Sequence, residues 1–203
     1  CDSTLTITGG DLSVTTTGTT YVNIEGNQEY DGNYRGQLDR LDDAYTTSPK
    51  GIKVGIKATE SSTGLPVGDI QISGGNIHVT CSGQQDGSEG IESKGTLTIS
   101  GGTIDCNTYD DAINSSSHMY IKGGTITVYS SGNDGLDSNS NMYLAGGTTD
   151  AYGTRYPECG IAANEEEGHT VIFTGGNVLG IGGGNISHPT KQETTRGAVT
   201  STG

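Results

Sequence analysis

The chain has 203 residues, about the length of one domain, with 35 glycines, a single Phe and no Trp. Ten Lys and Arg stand against 24 Asp and Glu, and the formal charge of −14 repels phosphate backbones and anionic lipid. That excludes nucleic acid as a partner, and with no apolar run near the ~20 residues of a membrane span, no direct membrane insertion is expected.

At the N-terminus, Cys1 suits either the lipid-bearing cysteine of a mature bacterial lipoprotein or the start of a fragment, and the fragment is preferred. The other cysteines, Cys81, Cys106 and Cys159, form no Cys-x-x-Cys pair and have no His at zinc spacing, so neither a zinc site nor a disulfide scaffold is expected.

Leu5 to Gly10 is an alternating strand closed by Gly-Gly. After a polar insertion at 15–49 that holds Tyr21, Tyr30, Tyr34 and Tyr45, five more copies begin at Ile70, Leu97, Met119, Met142 and Val171. The second glycine of these five falls at 75, 102, 124, 147 and 176, so copies follow one another at 22 to 29 residues. Apolar residues two apart share one face of a strand. Stacked in register they give columns headed by Leu5 and Ile7, and a second strand beyond the glycines adds the columns Leu12, Ile77, Ile104, Ile126, Val178 and Val14, Val79, Cys106, Val128. A third short strand supplies Ile52, Ile91, Ile113, Leu136 and Ile161. The expected fold is all-β: a right-handed parallel β-helix with three short strands per rung and about six rungs, over residues 1–181. Residues 182–203 are polar, lack the strand pattern and read as a tail or cap.

Alignment on the third strand stacks Glu89 on Asp111 and Asp134, Glu92 on Asn114 and Asp137, and Asp110 on Asn133 and Glu158. Carboxylates at rung spacing, ~4.8 Å, repel one another and call for positive charge. Lys50 and Lys53 share the register and are expected to pair with Glu89 and Glu92; an alternative register uses Gly55-Ile56-Lys57. Calcium, which accepts flexible all-oxygen coordination, is the expected cofactor of the ladder Glu89, Glu92, Asp110, Asp111, Asn114, Asn133, Asp134 and Asp137. Cys159-Gly160-Ile161-Ala162 ends the acidic pattern. Asn114-Ser115-Ser116 and Asn185-Ile186-Ser187 match the glycosylation sequon.

Outward columns carry Tyr120 beside Tyr143 and Tyr129 beside Tyr152. Such pairs suit sugar rings stacking on aromatic faces and equally suit cross-rung stabilisation of a sheet.

The runs from Ser88 to Leu97, Tyr109 to Asn114 and Gly132 to Ser138, with Gly182-Gly183-Gly184-Asn185, resemble the bacterial extracellular carbohydrate-binding parallel β-helix family over most of the chain. The resemblance implies a pectate-lyase-like fold, calcium on the helix, and binding of cellulose or of acidic sugars such as polygalacturonate. Three functions are therefore weighed. The first is a non-catalytic extracellular or cell-surface polysaccharide binder. The second is a calcium-dependent polysaccharide lyase with Lys94 as base and Arg155 as a weaker candidate. The third is a structural protein that self-associates through its helix ends into a stalk or filament.

Overall fold

The computed structural model describes residues 3–18, 21–22, 46–47, 49–55, 67–84, 87–155, 157–183 and 199–202. Its strands are β1 (Leu5–Thr16), β2 (Tyr21–Val22), β3 (Thr46–Thr47), β4 (Ile52–Val54), β5 (Ile70–Cys81), β6 (Ile91–Ser93), β7 (Leu97–Thr108), β8 (Ile113–Ser115), β9 (Met119–Ser130), β10 (Leu136–Ser138), β11 (Met142–Tyr152), β12 (Ile161–Ala163), β13 (Val171–Ile181) and β14 (Val199–Thr202). One short 3-10 helix, Glu165–Glu167, precedes β13.

The long strands lie in the order β1-β5-β7-β9-β11-β13-β14, and the three-residue strands in the order β4-β6-β8-β10-β12. From β4 onward the chain alternates between these two sheets, and each pass adds a neighbouring strand to both. Every pairing within them is parallel, and neither sheet closes into a barrel. A separate antiparallel pair joins β2 to β3.

The first two strands expected of each repeat are one continuous strand, bent at Gly-Gly. Pairing slips there, as between Ile99 and Thr103 of β7 against β9, and resumes in register beyond it. Gly102 shows why glycine is needed: its φ is +93° and a Cβ would lie 2.9 Å from the Gly75 carbonyl oxygen.

The core lies between the sheets, where Ile70, Leu97, Met119 and Met142 pair in sequence and are fully buried. Each such side chain contributes about 2 kcal/mol relative to exposure. Cys106 sits between Val79 and Val128 as a buried, free thiol. Two positions depart from the expected columns. Thr149 fills the gap between Ile126 and Val178 and is buried. Leu12, on the outermost strand, is 37% exposed because nothing pairs with the far side of β1 among the described residues.

Where the insertion was expected to start at residue 15, β1 continues to Thr16; Tyr30, Tyr34 and Tyr45 lie outside the described residues, as does Cys1. The tail is not devoid of strand, since β14 pairs with Val178–Ile181 of β13. Of the two registers open for the first lysines, Ile52 pairs with Ile91 and Lys53 with Glu92; Ile56 and Lys57 lie outside the described residues.

Candidate functional site

The five-stranded sheet turns β-branched and Leu side chains inward and so aims the alternate residue of each short strand outward. Lys53, Glu92, Asn114, Asp137 and Ala162 form that outward column in register. Beneath it Ser93, Ser115 and Ser138 stack fully buried. Their hydroxyls tie neighbouring turns together: Ser115 Oγ donates to the His118 carbonyl of its own turn at 3.1 Å and to the Gly95 carbonyl of the preceding one at 3.0 Å. Ser93 Oγ does the same with Gly68 and Thr96. These serines escaped the sequence reading, although Ser recurs two residues after Ile91, Ile113 and Leu136, with Val54 and Ala163 at the two ends of the column.

At its first end the ladder is neutralised by the chain's own cations. Lys50 is only 8% exposed at its side chain, and its Nζ lies 2.8 Å from Glu89 Oε2 and 3.3 Å from Glu92 Oε2. Lys53 adds a longer contact to Glu92 at 3.8 Å, and Lys94 pairs closely with Glu92 Oε1. The expected pairing of Lys50 and Lys53 is present. Lys94, the candidate base, faces a carboxylate. Burial opposes ionisation of Glu92, yet Lys50, Lys94 and Lys53 together hold its carboxyl below the usual value. Burial pushes Glu89 up to about 7 against the pull of Lys50. Burial also works against the Lys50 ammonium, but Glu89 and Glu92 prevail and raise it.

The middle of the ladder has no such partners. Asp111 and Asp110 are buried, and no Lys or Arg pairs with Asp110, Asp111, Asp134 or Asp137 among the described residues. Amides take the place of cations. Asn133 Nδ2 donates to Asp110 Oδ1, and Asn114 Nδ2 donates to Asp111 Oδ2 at 3.1 Å. Backbone N–H groups of Gly87, Asp134 and Cys159 donate to Asp110, Asp111 and Asp134 respectively. These do not offset the cost. Burial, with the neighbouring carboxylates Asp134, Glu89 and Asp110, pushes Asp137 up to about 8. Burial first, and Glu158 and Asp110 after it, push Asp134 up to about 7 despite the Cys159 N–H. Asp111 is raised well above the carboxylate range by burial and by Asp137, Asp110 and Asp134.

Asn114 Oδ1 is buried with no hydrogen-bond partner among the described residues. An orphaned carbonyl oxygen beside uncompensated carboxylates is an all-oxygen donor set short of positive charge, and its chemistry fits a hard cation. The donors lie on successive strands, and no three His, Cys, Asp or Glu side chains gather round one point among the described residues. Within the Asn114 sequon, the amide nitrogen donates to Asp111. Asn185 lies outside the described residues.

On the long sheet, Tyr120 pairs with Tyr143 and Tyr129 with Tyr152, as their columns predict. The Tyr120 and Tyr143 rings are stacked, with centroids 4.7 Å apart and planes 8° from parallel. Each ring therefore gives one face to the other. His118 stands about equally near both, at 6.1 and 6.0 Å, and Lys122 Nζ lies 5.2 Å from the Tyr120 centroid. Tyr129 is 47% exposed.

No helix among the described residues is long and apolar enough to cross a membrane. A family model for a carbohydrate-binding domain-containing protein matches residues 1–135, a stretch that holds the ladder through Asp134 and Tyr120 but ends before Asp137 and Tyr143. No curated protein and no solved structure matches the chain.

Proposed function

The chain belongs to the family of carbohydrate-binding domain-containing proteins, and from that premise we propose a non-catalytic, extracellular or cell-surface module. It holds a plant-type polysaccharide, either cellulose or an acidic sugar such as polygalacturonate. The scaffold is a right-handed parallel β-helix of about six rungs, a rigid surface that binds without an ordering cost. The family match over residues 1–135 carries this reading.

Calcium stabilises the acidic edge. Asp110, Asp111, Asn114, Asn133, Asp134 and Asp137 would hold it, and it would supply the positive charge that Lys50, Lys53 and Lys94 supply to Glu89 and Glu92. The orphaned Asn114 carbonyl and the carboxyls raised by burial and by one another support this assignment.

A pectate lyase would need an unprotonated base, and an ammonium ion-paired with Glu92 offers no lone pair for a sugar C–H proton. Self-association through the helix ends has its own supporting observation: Leu5, Ile7, Val14 and Ile52 are only partly buried where β1 and β4 end their sheets. End-to-end stacking of copies would cover them.

Calorimetric titration of polygalacturonate and of a soluble cellulose oligosaccharide, with calcium and then with chelator, tests the reading while absorbance follows unsaturated products. Heat without new absorbance is expected. Rising absorbance would make the protein a lyase, and no heat with either sugar would remove the sugar-binding function.

A further inference from the structure

The two ends of the stack are finished differently. At the last strands the core is closed: Val171, Phe173 and Val178 of β13 are buried, and β14 pairs along Val178–Ile181. At the first strand it is open. Leu5, Ile7 and Val14 are only partly buried, Leu12 is 37% exposed, and no strand pairs with the far side of β1 among the described residues. A long strand with a free edge ordinarily carries Lys or Pro to keep other chains from pairing with it. β1 runs for 12 residues with neither, whereas β4, the free edge of the other sheet, carries Lys53. The one charged side chain of β1, Asp11, is drawn toward β5 by a 2.7 Å hydrogen bond from Asn76 Nδ2.

Gly9 is an independent sign of what belongs against that edge. In the strands stacked on β1, the first glycine of each pair lies against backbone: a Cβ on Gly74 would fall 2.6 Å from the Thr8 carbonyl oxygen, and one on Gly101 2.5 Å from that of Ser73. The preceding strand is what bars a larger residue there. On Gly9 a Cβ would meet nothing within 4 Å among the described residues, and Gly9 is not one of the glycines with positive φ. No described part of the chain asks for glycine at this position, whereas a further backbone stacked against β1 would.

We infer that two copies of this chain pair through β1, edge to edge and antiparallel, about a two-fold axis between Gly9 and Gly10. The strand is spaced for it. Leu5 stands as far before that point as Val14 stands after it, and Ile7 as far as Leu12, so Leu5 lies opposite the partner's Val14 and Ile7 opposite the partner's Leu12. Gly9 then faces the partner's Gly10, where two backbones must approach closely, and Thr8 faces the partner's Asp11, so no like charges oppose each other. A two-fold interface closes on itself, and the covered far end offers no second site, so association stops at two copies. The inference rests on the end-association reading above and narrows it to one end and one stoichiometry; it does not depend on sugar binding.

Sedimentation of the full chain from micromolar concentration upward should show the mass rising from 20.8 kDa to twice that value and no further, while amide exchange in residues 5–16 slows as concentration rises. Two variants locate the contact. Leu12→Lys sets an ammonium into the joint from a position already partly exposed, and Gly9→Ala adds a methyl group that has free space in the single chain. Both should keep the circular dichroism of the parent. Each should weaken pairing at least about tenfold, since every substitution acts twice across a two-fold interface. If either variant pairs within about twofold of the parent, the copies meet elsewhere and the assignment to β1 fails. Mass that climbs past two copies overturns the closed pair and leaves open end-to-end stacking in its place. A single copy at every concentration overturns this inference and end association together.

Discussion

The two ends of one carboxylate column solve the same electrostatic problem differently. Glu89 and Glu92 are surrounded by Lys50, Lys53 and Lys94, whereas Asp111, Asp134 and Asp137, stacked just beyond them, have no Lys or Arg partner among the described residues, and amide or backbone N–H groups donate to Asp111 and Asp134 instead. The consequence is visible in the carboxyls: Glu92 is held below its ordinary range and Asp137 is driven far above it. Equal spacing thus does not dictate equal charge. A fixed ammonium makes the first end self-sufficient, and its absence leaves the second end open to protons or to an external cation.

Removing the fixed ammonium should produce the largest effect. Lys50→Met leaves Glu89 and Glu92 facing each other in a buried site, and unpairing a buried charge typically costs about 3–5 kcal/mol. Denaturant unfolding in chelator should show a loss of that order. A loss below about 1 kcal/mol would mean that Lys53 and Lys94 suffice alone, and the contrast between the two ends would rest on them.

Acidity and calcium should act on the other end, with a somewhat smaller effect. Asp134 and Asp137, at about 7 and about 8, keep protons in the folded chain after the unfolded chain has lost them near its ordinary carboxyl values. The folded state binds more protons over that window, so in chelator stability should fall as pH rises from about 4 to about 8. Glu89, at about 7, adds to the same trend. Calcium should reverse the loss, by about 3 kcal/mol at a hundredfold excess over its dissociation constant, and should raise the melting temperature more at pH 8 than at pH 5, where protons compete. A chelated protein whose melting temperature is flat or rising across that window would contradict the bare-ladder account. Asp137→Asn should flatten the fall.

Much of this contrast could be read from the chain. Side chains of a strand alternate strictly, so the Gly-Gly marker and the third-strand Ile or Leu fix the register, and register alone aligns Glu92, Asn114 and Asp137 with Lys53. Lys50 and its partners follow from the same alignment. What register does not contain is where a long side chain goes after it leaves the strand. Lys94 reads as an outward base because it follows Glu92 by two residues, yet its flexible stem brings the ammonium back to that carboxylate. Tyr120 and Tyr143 are adjacent in the sequence columns, but how their rings meet depends on side-chain rotation, and the structure stacks them face to face. The merging of two strands into one was hidden for a backbone reason: glycine at positive φ turns the corner while pairing resumes on either side. The strand β14 was hidden because four residues, Val199 to Thr202, are too few to show a period.

The smallest expected effect separates side-chain charge from backbone support as the origin of the contrast. Ser93 lies under the lysine-neutralised end and Ser115 under the bare end, and each donates from a fully buried position to one carbonyl of its own turn and one of the preceding turn. If the backbone supports both ends alike, Ser93→Ala and Ser115→Ala should each cost about 1 kcal/mol, with neither loss altered by calcium. Should Ser115→Ala cost several times more than Ser93→Ala in chelator but not in calcium, the bare carboxylates would be straining the turn beneath them. The difference between the two ends would then belong to the backbone as much as to the cations, and the open half of the ladder would be a mechanically loaded element and not only an uncompensated charge.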